Sequence, residues 1–492
     1  MGVLNKTINS SKWLALEQVS SKLLSVISFV LLARLLDPNA YGLIAIVLTM
    51  VGFFNRMFVS GFESALVQMK GESGKYLNSV WTFGFLKSFL FALIIYLIAP
   101  AVVIFFHVPE LLNYVRWSGL FIIVPSLINI KHLYLFKDFH FNKLYVRDLA
   151  GQIAYVIVAL VWAGFIRADI SALFVANLAR YIAPLFVIYY YYPSWPRFEL
   201  NFARLKELFP YSKWITGQNF VRYLTSIIDT VLIARLLNPV MLGFYTKGKN
   251  LGFILTSVLT GFMKNLGFVA FSKIQDSPDK IKQGFMMSLD LIFIFSWPAI
   301  IGAWLWGEAL VRVFLGDKWL NILPALQIFS VSAVSSAVIF IAYQLFNGVG
   351  KPSINFKIKV ISVIFYALFV TGGIYYKSMV GAALGVALSD FLIMLYVFYK
   401  LKRVYQLSYI SVLASGLSSL IPLLVSLIFV WPAALIWDLG QFAMLGLLVV
   451  YGLLAAACFW WFGKKFQTSS WQTVNMLFKS YLGRFFSKTM EP

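Results

Sequence analysis

The chain alternates long apolar runs with short polar connections. A membrane-spanning helix needs about 20 mostly apolar residues, and breaks at Pro, Gly and charge clusters divide this sequence into runs of that length. These breaks predict fourteen spans, at residues 12–35, 40–64, 77–99, 112–133, 145–166, 170–192, 212–236, 241–268, 284–306, 322–346, 355–376, 379–400, 409–430 and 439–462. The pattern therefore predicts an all-α polytopic membrane protein.

The first of these runs, with the turn after it, is repeated later in the chain. Residues 11–42 return as residues 212–243 without a gap, and 14 of the 32 aligned positions are identical. Each copy reads as an apolar helix that is stopped at Asp37-Pro38 or Asn238-Pro239, because proline cannot continue a helix. The second copy starts at the seventh span, an even number of spans later, so both copies cross the membrane in the same direction.

This parallel repeat predicts how the chain is organised. The predicted parts are an N-terminal lobe with spans 1–6 (1–195), a C-terminal lobe with spans 7–12 (196–404), two further spans (405–463) and a cytoplasmic amphipathic tail (464–492). Apolar residues at helical spacing among charges also predict a separate membrane-surface helix at residues 202–209.

Positive charge is concentrated in alternate connections, which predicts both termini in the cytoplasm. The rich connections are 70–75, 131–147, 197–213, 273–282, 351–359 and 400–403. Lys247 and Lys249, near the start of span 8, run against this bias. The net charge of +22 would suggest nucleic acid in a soluble protein, but 61% hydrophobic residues and a mean hydropathy of +0.82 exclude that class, and no nucleic-acid partner is expected.

Catalytic and metal chemistry finds no support in the residue pattern. The single cysteine, Cys458, lies in an apolar run, and three histidines have no Cys or carboxylate pair at ligand spacing. The first apolar run carries Glu17 and Lys22, which a cleaved signal peptide would not, so it is expected to be retained. We expect no enzyme activity, no metal and no bound cofactor, and coupling to H⁺ or Na⁺ stays open.

Charged residues inside the spans are the candidate site. Each costs roughly 2.5–3.5 kcal/mol at the centre of a membrane, so they must face the protein interior or a watery cavity. The candidates for substrate binding are Lys22, Arg56, Lys87, Arg180, Arg222 and Lys264. The candidates for coupling or gating are Glu17, Glu63, Asp229 and Asp390.

Two interpretations of these charges remain open. Gln218, Arg222, Thr225 and Asp229 share one helix face, and they could join helices through pairs such as Arg222 with Asp229 or Arg56 with Glu63. In contrast, four of the cations have no acidic residue three or four positions away, which favours an anionic ligand. These four are Lys22, Lys87, Arg180 and Lys264.

Several motifs resemble one transporter branch. ARLLDPNAYG (33–42), FKDFHFNKLYVRDL (136–149), FSKIQDSPDK (271–280), FLGDKW (314–319) with ALQIF (325–329), and NGVGKP (347–352) are similar, in order, to motifs of the polysaccharide exporters of the multidrug/oligosaccharidyl-lipid/polysaccharide (MOP) flippase superfamily, especially the colanic and teichuronic acid exporters. The resemblance implies a flippase in the bacterial cytoplasmic (inner) membrane. Its implied cargo is an oligosaccharide on undecaprenyl pyrophosphate, its mechanism alternating access, and its surroundings membrane lipids and polysaccharide polymerase or assembly proteins.

Three other functions are weighed against this one. A multidrug and toxin extruder of the same superfamily would favour an acidic, aromatic site and twelve spans. A flippase for the peptidoglycan precursor lipid II would share charge and span number, so only its substrate differs. A membrane glycosyltransferase or ligase would need acidic catalytic loops, which the sequence lacks.

The loop charges make the topology testable. Reporter fusions after residue 72, 138 or 402 should report a cytoplasmic position, and fusions near residue 37, 168 or 376 an external one, because Lys-rich and Arg-rich loops stay in the cytoplasm. An external C-terminus would refute the fourteen-span arrangement.

Overall fold

The computed structural model describes residues 3–58, 60–69, 73–138, 140–436, 441–466, 468 and 470–475. Throughout these residues the regular structure is helical, and none of them forms a strand. The chain divides into two compact units, Met1–Thr246 and Lys247–Pro492. This division at residue 246 differs from the predicted lobe boundary at residue 195, and the lobes stay a prediction.

The first unit is built from ten helices and the start of an eleventh. They are α1 (Val3–Leu35), α2 (Pro38–Phe58), α3 (Ser60–Gln68), α4 (Gly74–Phe106), α5 (Leu112–Trp117), α6 (Leu120–Ser126), α7 (Leu133–Lys137), α8 (Phe141–Phe165), α9 (Ile170–Tyr191), α10 (Phe202–Leu236) and α11 (Pro239–Gly252). This count refers to the described residues.

The second unit continues with α12 (Ile254–Lys273), α13 (Pro278–Leu305), α14 (Gly307–Phe314), α15 (Leu323–Gly348), α16 (Pro352–Tyr405), α17 (Tyr409–Ile436) and α18 (Gln441–Phe466). At 1.5 Å per residue a straight α16 would be about 80 Å long, far more than a membrane of about 30 Å. Its backbone leaves helical geometry at Lys377 and Ser378, where Ser378 has a φ of 55°. This break separates the predicted spans 355–376 and 379–400.

The helices confirm the membrane architecture but not the full span count. Within the described residues, 10 helices are long and apolar enough to cross a membrane, or up to 11 if the bent pair Pro109–Ser126 and Ile130–Lys137 forms one span. Helices α10, α11 and α12, which cover predicted spans 7 and 8, are not among them. Polar residues such as Asp229, Lys247 and Lys249 interrupt their apolar character. The number fourteen stays a prediction.

The two repeat copies touch at their turns. Helices α2 and α11 begin at Pro38 and Pro239, as the repeat predicts. A Cβ atom on Gly243 would lie 2.0 Å from the carbonyl oxygen of Pro38, and one on Gly42 would lie 1.7 Å from that of Pro239. Both glycines therefore allow a contact between backbones where a side chain would collide.

The predicted surface helix at residues 202–209 is wrong. This segment forms the first turns of α10, which continues through Pro210 to Leu236. Leu205 and Leu208 are buried in a core cluster with Tyr76, whose hydroxyl donates to Glu207 at 2.5 Å. Amphipathic spacing alone does not distinguish burial against protein from burial against lipid.

A buried carboxylate holds the last described segment in the second unit. Asp290 in α13 is 3% exposed and accepts hydrogen bonds from Ser415 of α17 at 2.5 Å and from Thr473 at 2.8 Å. Residues 470–475 are thus packed against the unit, although they belong to the predicted tail. The rest of that tail, residues 476–492, lies outside the described residues.

The contact between the two turns predicts the effect of one methyl group. Gly243→Ala should lower the melting temperature and the amount of membrane-inserted protein, because overpacking typically costs about 1–3 kcal/mol and here the colliding atom belongs to the backbone. Gly217→Ala is the matched control, since a Cβ there meets nothing within 4 Å. Equal stability of the two variants would argue against the close contact.

Candidate functional site

A polar cavity of about 350 Å³ lies inside the first unit. Helices α2, α3, α4, α6, α8 and α9 all contribute to its wall. Its polar lining consists of Asn55, Glu63, Lys87, Ser88, Ser126, His132, Arg147, Asp148 and Tyr181. Two predicted site residues, Glu63 and Lys87, therefore share one cavity.

Helix α4 supplies one side of the cavity through residues at helical spacing. Val80, Gly84, Lys87 and Ser88 lie three, four or eight positions apart, which places them on one face. A Cβ atom on Gly84 would meet nothing within 4 Å, so the missing side chain leaves room inside the cavity.

The charges in the cavity are balanced across helices. Lys87 and Arg147 lie close enough to Glu63 to attract its carboxylate. The sequence shows no acidic partner for Lys87 within its own helix, whereas the tertiary structure supplies Glu63 from α3. The expectation of surplus positive charge at Lys87 is therefore corrected.

Arg147 and Asp148 were not predicted as site residues. The sequence places Arg147 in a cytoplasmic loop, but α8 already begins at Phe141. Arg147 donates from Nε at 2.7 Å and from Nη2 at 2.9 Å to the two carboxylate oxygens of Asp148. Successive helix residues point in different directions, so this two-bond pair depends on how Arg147 bends back. An acidic residue at the start of an apolar run was the signal that could have identified it.

The other predicted cations do not line this cavity. Lys22 on α1 and Arg180 on α9 are exposed, and Arg56 is also exposed, with its guanidinium 4.9 Å from the centre of the Tyr223 ring. The proposed pair of Arg56 with Glu63 is thus replaced by a cation–π contact. Two more predicted cations, Arg222 and Lys264, have side chains outside the described part of the chain.

Asp229 serves as a hydrogen-bond acceptor within the first unit. It is 2% exposed and accepts from the Tyr245 hydroxyl of α11 at 2.7 Å. The Thr230 amide donates to its other oxygen at 2.9 Å. Asp229 therefore ties α10 to α11, while its predicted pairing with Arg222 is not tested. Glu17, the remaining acid of the first unit, is half-buried on α1.

Asp390 occupies a similar setting in the second unit. It is 3% exposed and accepts hydrogen bonds from Ser332 at 2.8 Å, from Ser336 at 2.5 Å and from the Tyr366 hydroxyl. These donors come from α15 and from the first half of α16. The carboxylate thus joins three helical segments, and Lys249 is near enough to stabilise its charge.

Lys247 and Lys249 are interior residues that the sequence did not identify as such. Both lie inside α11, which extends to Gly252, rather than in an outer loop. Both are partly buried, and the Lys249 ammonium lies 6.0 Å from the centre of the Phe329 ring. Their position explains why they run against the charge bias of the loops.

The fold is that of a class of multi-spanning membrane transporters. It matches an inward-closed structure of the lipid II flippase MurJ with a TM-score of 0.75, at 14% identity, over 92% of this chain and 99% of that one. It also matches an inward-facing multidrug resistance MATE family transporter of the MOP superfamily with a TM-score of 0.64, at 11% identity, over 80% and 98% of the two chains. At these identities the likeness establishes the fold alone.

The sequence assigns the family. Residues 31–324 match the model described as "Polysaccharide biosynthesis protein", and this chain belongs to that family. The lipopolysaccharide biosynthesis protein WzxC of Escherichia coli (strain K12) is 24% identical over 399 residues, which cover 80% of this chain and 79% of WzxC. The succinoglycan biosynthesis transport protein ExoT of Rhizobium meliloti (strain 1021) is 24% identical over 376 residues, 75% and 74% of the two chains. The resemblance to polysaccharide exporters is confirmed.

Chemical labelling can test the polar cavity. With Cys458 replaced by Ser, the protein has no cysteine, so Ser126→Cys introduces a single thiol at the cavity wall. A polar cavity of this size holds water, so the thiol should react with a water-soluble maleimide. Adding Gly84→Leu should slow labelling strongly, because the new side chain fills the space.

Ala99→Cys provides the reference for a packed position, since Ala99 is 0% exposed. Labelling of Ser126→Cys no faster than that of Ala99→Cys would contradict a water-filled cavity. Gly164→Leu is a second control, because its Cβ also meets open space but away from the cavity lining.

Proposed function

We propose that this protein is a flippase for surface polysaccharide synthesis. It moves an oligosaccharide carried on undecaprenyl pyrophosphate from the inner to the outer leaflet of the bacterial cytoplasmic membrane by alternating access. The proposal includes fourteen spans, cytoplasmic termini and cooperation with polysaccharide polymerase or assembly proteins. Relatives named for lipopolysaccharide biosynthesis and succinoglycan transport support it.

The observation that carries the proposal is the polar cavity of the first unit. Charged side chains at membrane depth are costly, and they mark pathways for polar cargo in membrane proteins. Lys87 and Arg147 offer positive charge to a pyrophosphate, while Asn55 and Ser126 offer hydrogen bonds to sugar hydroxyls. Trp81 adds an aromatic surface against which a sugar ring can pack.

The acidic partners give the empty cavity a stable state. A lone buried cation would be expensive, and Glu63 and Asp148 reduce that cost when no cargo is present. An entering pyrophosphate competes with Glu63 for Lys87, so binding exchanges one ionic partner for another. This exchange allows release, which transport requires as much as binding.

The same exchange suggests how transport is coupled to an ion gradient. When the cargo displaces Glu63, that carboxylate becomes available to take up H⁺ or Na⁺. Glu63 is therefore the strongest coupling candidate. Glu17, Asp229 and Asp390 are weaker ones, because the latter two already accept two or three hydrogen bonds each within the helices.

The cavity volume also limits the portion of the cargo that it holds. Ligand cavities commonly measure about 300–1,000 Å³, so about 350 Å³ is small for a complete oligosaccharide. We infer that it receives the pyrophosphate and the first sugar. The rest of the glycan requires a wider state of the transporter.

A deletion strain provides the direct test of this function. Cells without the protein should lose surface polysaccharide and accumulate the lipid-linked oligosaccharide on the cytoplasmic side, protected from an externally added glycosidase. Expression of the parental chain should restore both. Normal polysaccharide together with increased drug sensitivity would favour a multidrug extruder, and arrest of peptidoglycan synthesis would favour a lipid II flippase.

Charge substitutions in the cavity should reduce export. Hydrogen bonds to charged groups contribute about 1.5–3 kcal/mol, so Lys87→Gln should lower the export rate about tenfold or more. Abundance and melting temperature should stay near parental values, because Gln keeps polar contacts. Pulse labelling of surface glycan would measure the rate.

Arg167→Gln is the matched control for this experiment. Arg167 is 69% exposed and forms a surface ion pair with Asp169 at 3.1 Å, so its loss should leave export unchanged. Parental export by Lys87→Gln at equal abundance would refute a role for this cavity in cargo binding.

A further inference from the structure

An apolar groove of about 780 Å³ lies in the second unit, between α15 and the two halves of α16. Large side chains such as Leu368, Leu388 and Phe391 line it, and each of these three is at least 44% exposed. No charged residue occurs among its described lining. Within a membrane-spanning region, such a surface is suited to hydrocarbon chains rather than to polar cargo.

The groove exists because glycines bring two backbones together. A Cβ atom on Gly373 would lie 2.1 Å from the carbonyl oxygen of Gly381, and one on Gly385 would lie 2.3 Å from that of Phe369. The halves of α16 therefore pack without intervening side chains. Beside this contact, a Cβ on Gly372 would meet nothing within 4 Å, so the space is open.

The length of the groove corresponds to one leaflet of the membrane. It begins near Tyr376, next to the break in α16, and its lining continues to Phe391. Thirteen residues of helix from Ser378 to Phe391 extend about 20 Å, and half of a hydrocarbon core of about 30 Å is about 15 Å. A chain that enters at the break thus reaches the middle of the membrane.

A positive charge stands at the surface end of the groove. Lys377 directly follows Tyr376 at the break and is exposed. By the loop-charge pattern this break faces the outside, where Lys and Arg are otherwise sparse. A lysine at this depth complements the phosphate of an anionic lipid.

We propose that the groove is a binding site for an anionic glycerophospholipid of the outer leaflet. Its acyl chains lie along α15 and α16, and its phosphate interacts with Lys377. A site that is one leaflet deep fits a phospholipid better than a long polyprenyl carrier, which would extend beyond it. This site is separate from the cargo cavity and does not depend on the proposed flippase function.

Photo-crosslinking in lipid nanodiscs tests the site on the full chain. The probe is phosphatidylglycerol with a photoreactive group in its acyl chain, used at trace level in a phosphatidylcholine disc. Mass spectrometry should locate the label on residues 368–391. Excess unlabelled phosphatidylglycerol should displace it, and excess phosphatidylcholine should not.

Variants separate the groove from the general lipid surface. Gly372→Trp should abolish labelling of residues 368–391, because the indole fills the open space, while Gly446→Trp, which also faces open space but does not line the groove, should not. Lys377→Gln should reduce the preference for phosphatidylglycerol about fivefold, and Lys377→Arg should retain it.

Several outcomes would overturn the proposal. Unchanged labelling in Gly372→Trp would show that the groove is not the site. Equal labelling by photoreactive phosphatidylcholine would show that the charge plays no role. Displacement by undecaprenyl phosphate, but not by phosphatidylglycerol, would assign the groove to the carrier lipid. If Gly372→Trp fails to insert, the two Lys377 variants decide the question.

Discussion

The cost of leaving a polar group unsatisfied in hydrocarbon is the constraint on which this structure depends. Lipid offers no hydrogen bonds, so the described backbone satisfies its own groups by forming helices. The same constraint explains the surroundings of the buried carboxylates. Asp290 and Asp390 each accept hydrogen bonds from hydroxyl groups of neighbouring segments, which turns an expensive charge into a link between helices. Polar residues in this protein therefore hold helices together before they do anything else.

Glycine shapes the molecule in two opposite ways. At Gly42 and Gly243 the absence of a side chain lets the turns of the repeat touch, and at Gly373 it lets the halves of α16 touch. At Gly84 and Gly372 it leaves open space, in one case inside a polar cavity and in the other beside an apolar groove. Close packing and open sites thus arise from the same residue type, and the neighbouring helix decides between them.

The polar cavity reconciles the two interpretations of the internal charges. Lys87 has an acidic neighbour, Glu63, and Arg147 has Asp148, so each pair can stabilise the fold in the absence of cargo. A transporter must bind its cargo and then release it, and paired charges suit that task better than an isolated cation would. Structural stabilisation and cargo binding are therefore compatible roles of the same residues. The relatives in polysaccharide biosynthesis give this chemistry its biological setting.

The sequence by itself determined the helical membrane class, the repeat, its turns at Pro38 and Pro239, and the separation of two spans near residue 377, because each depends on local periodicity or on proline. It also identified Glu63 and Lys87, since charges stand out in apolar runs. Only the tertiary structure decided that these two residues meet, that Arg147 and Asp148 join them, and that Lys22, Arg56 and Arg180 face elsewhere. It likewise placed Leu205 and Leu208 in a protein core. Contacts between distant segments depend on how helix faces are paired, and neither hydropathy nor spacing along one helix contains that information.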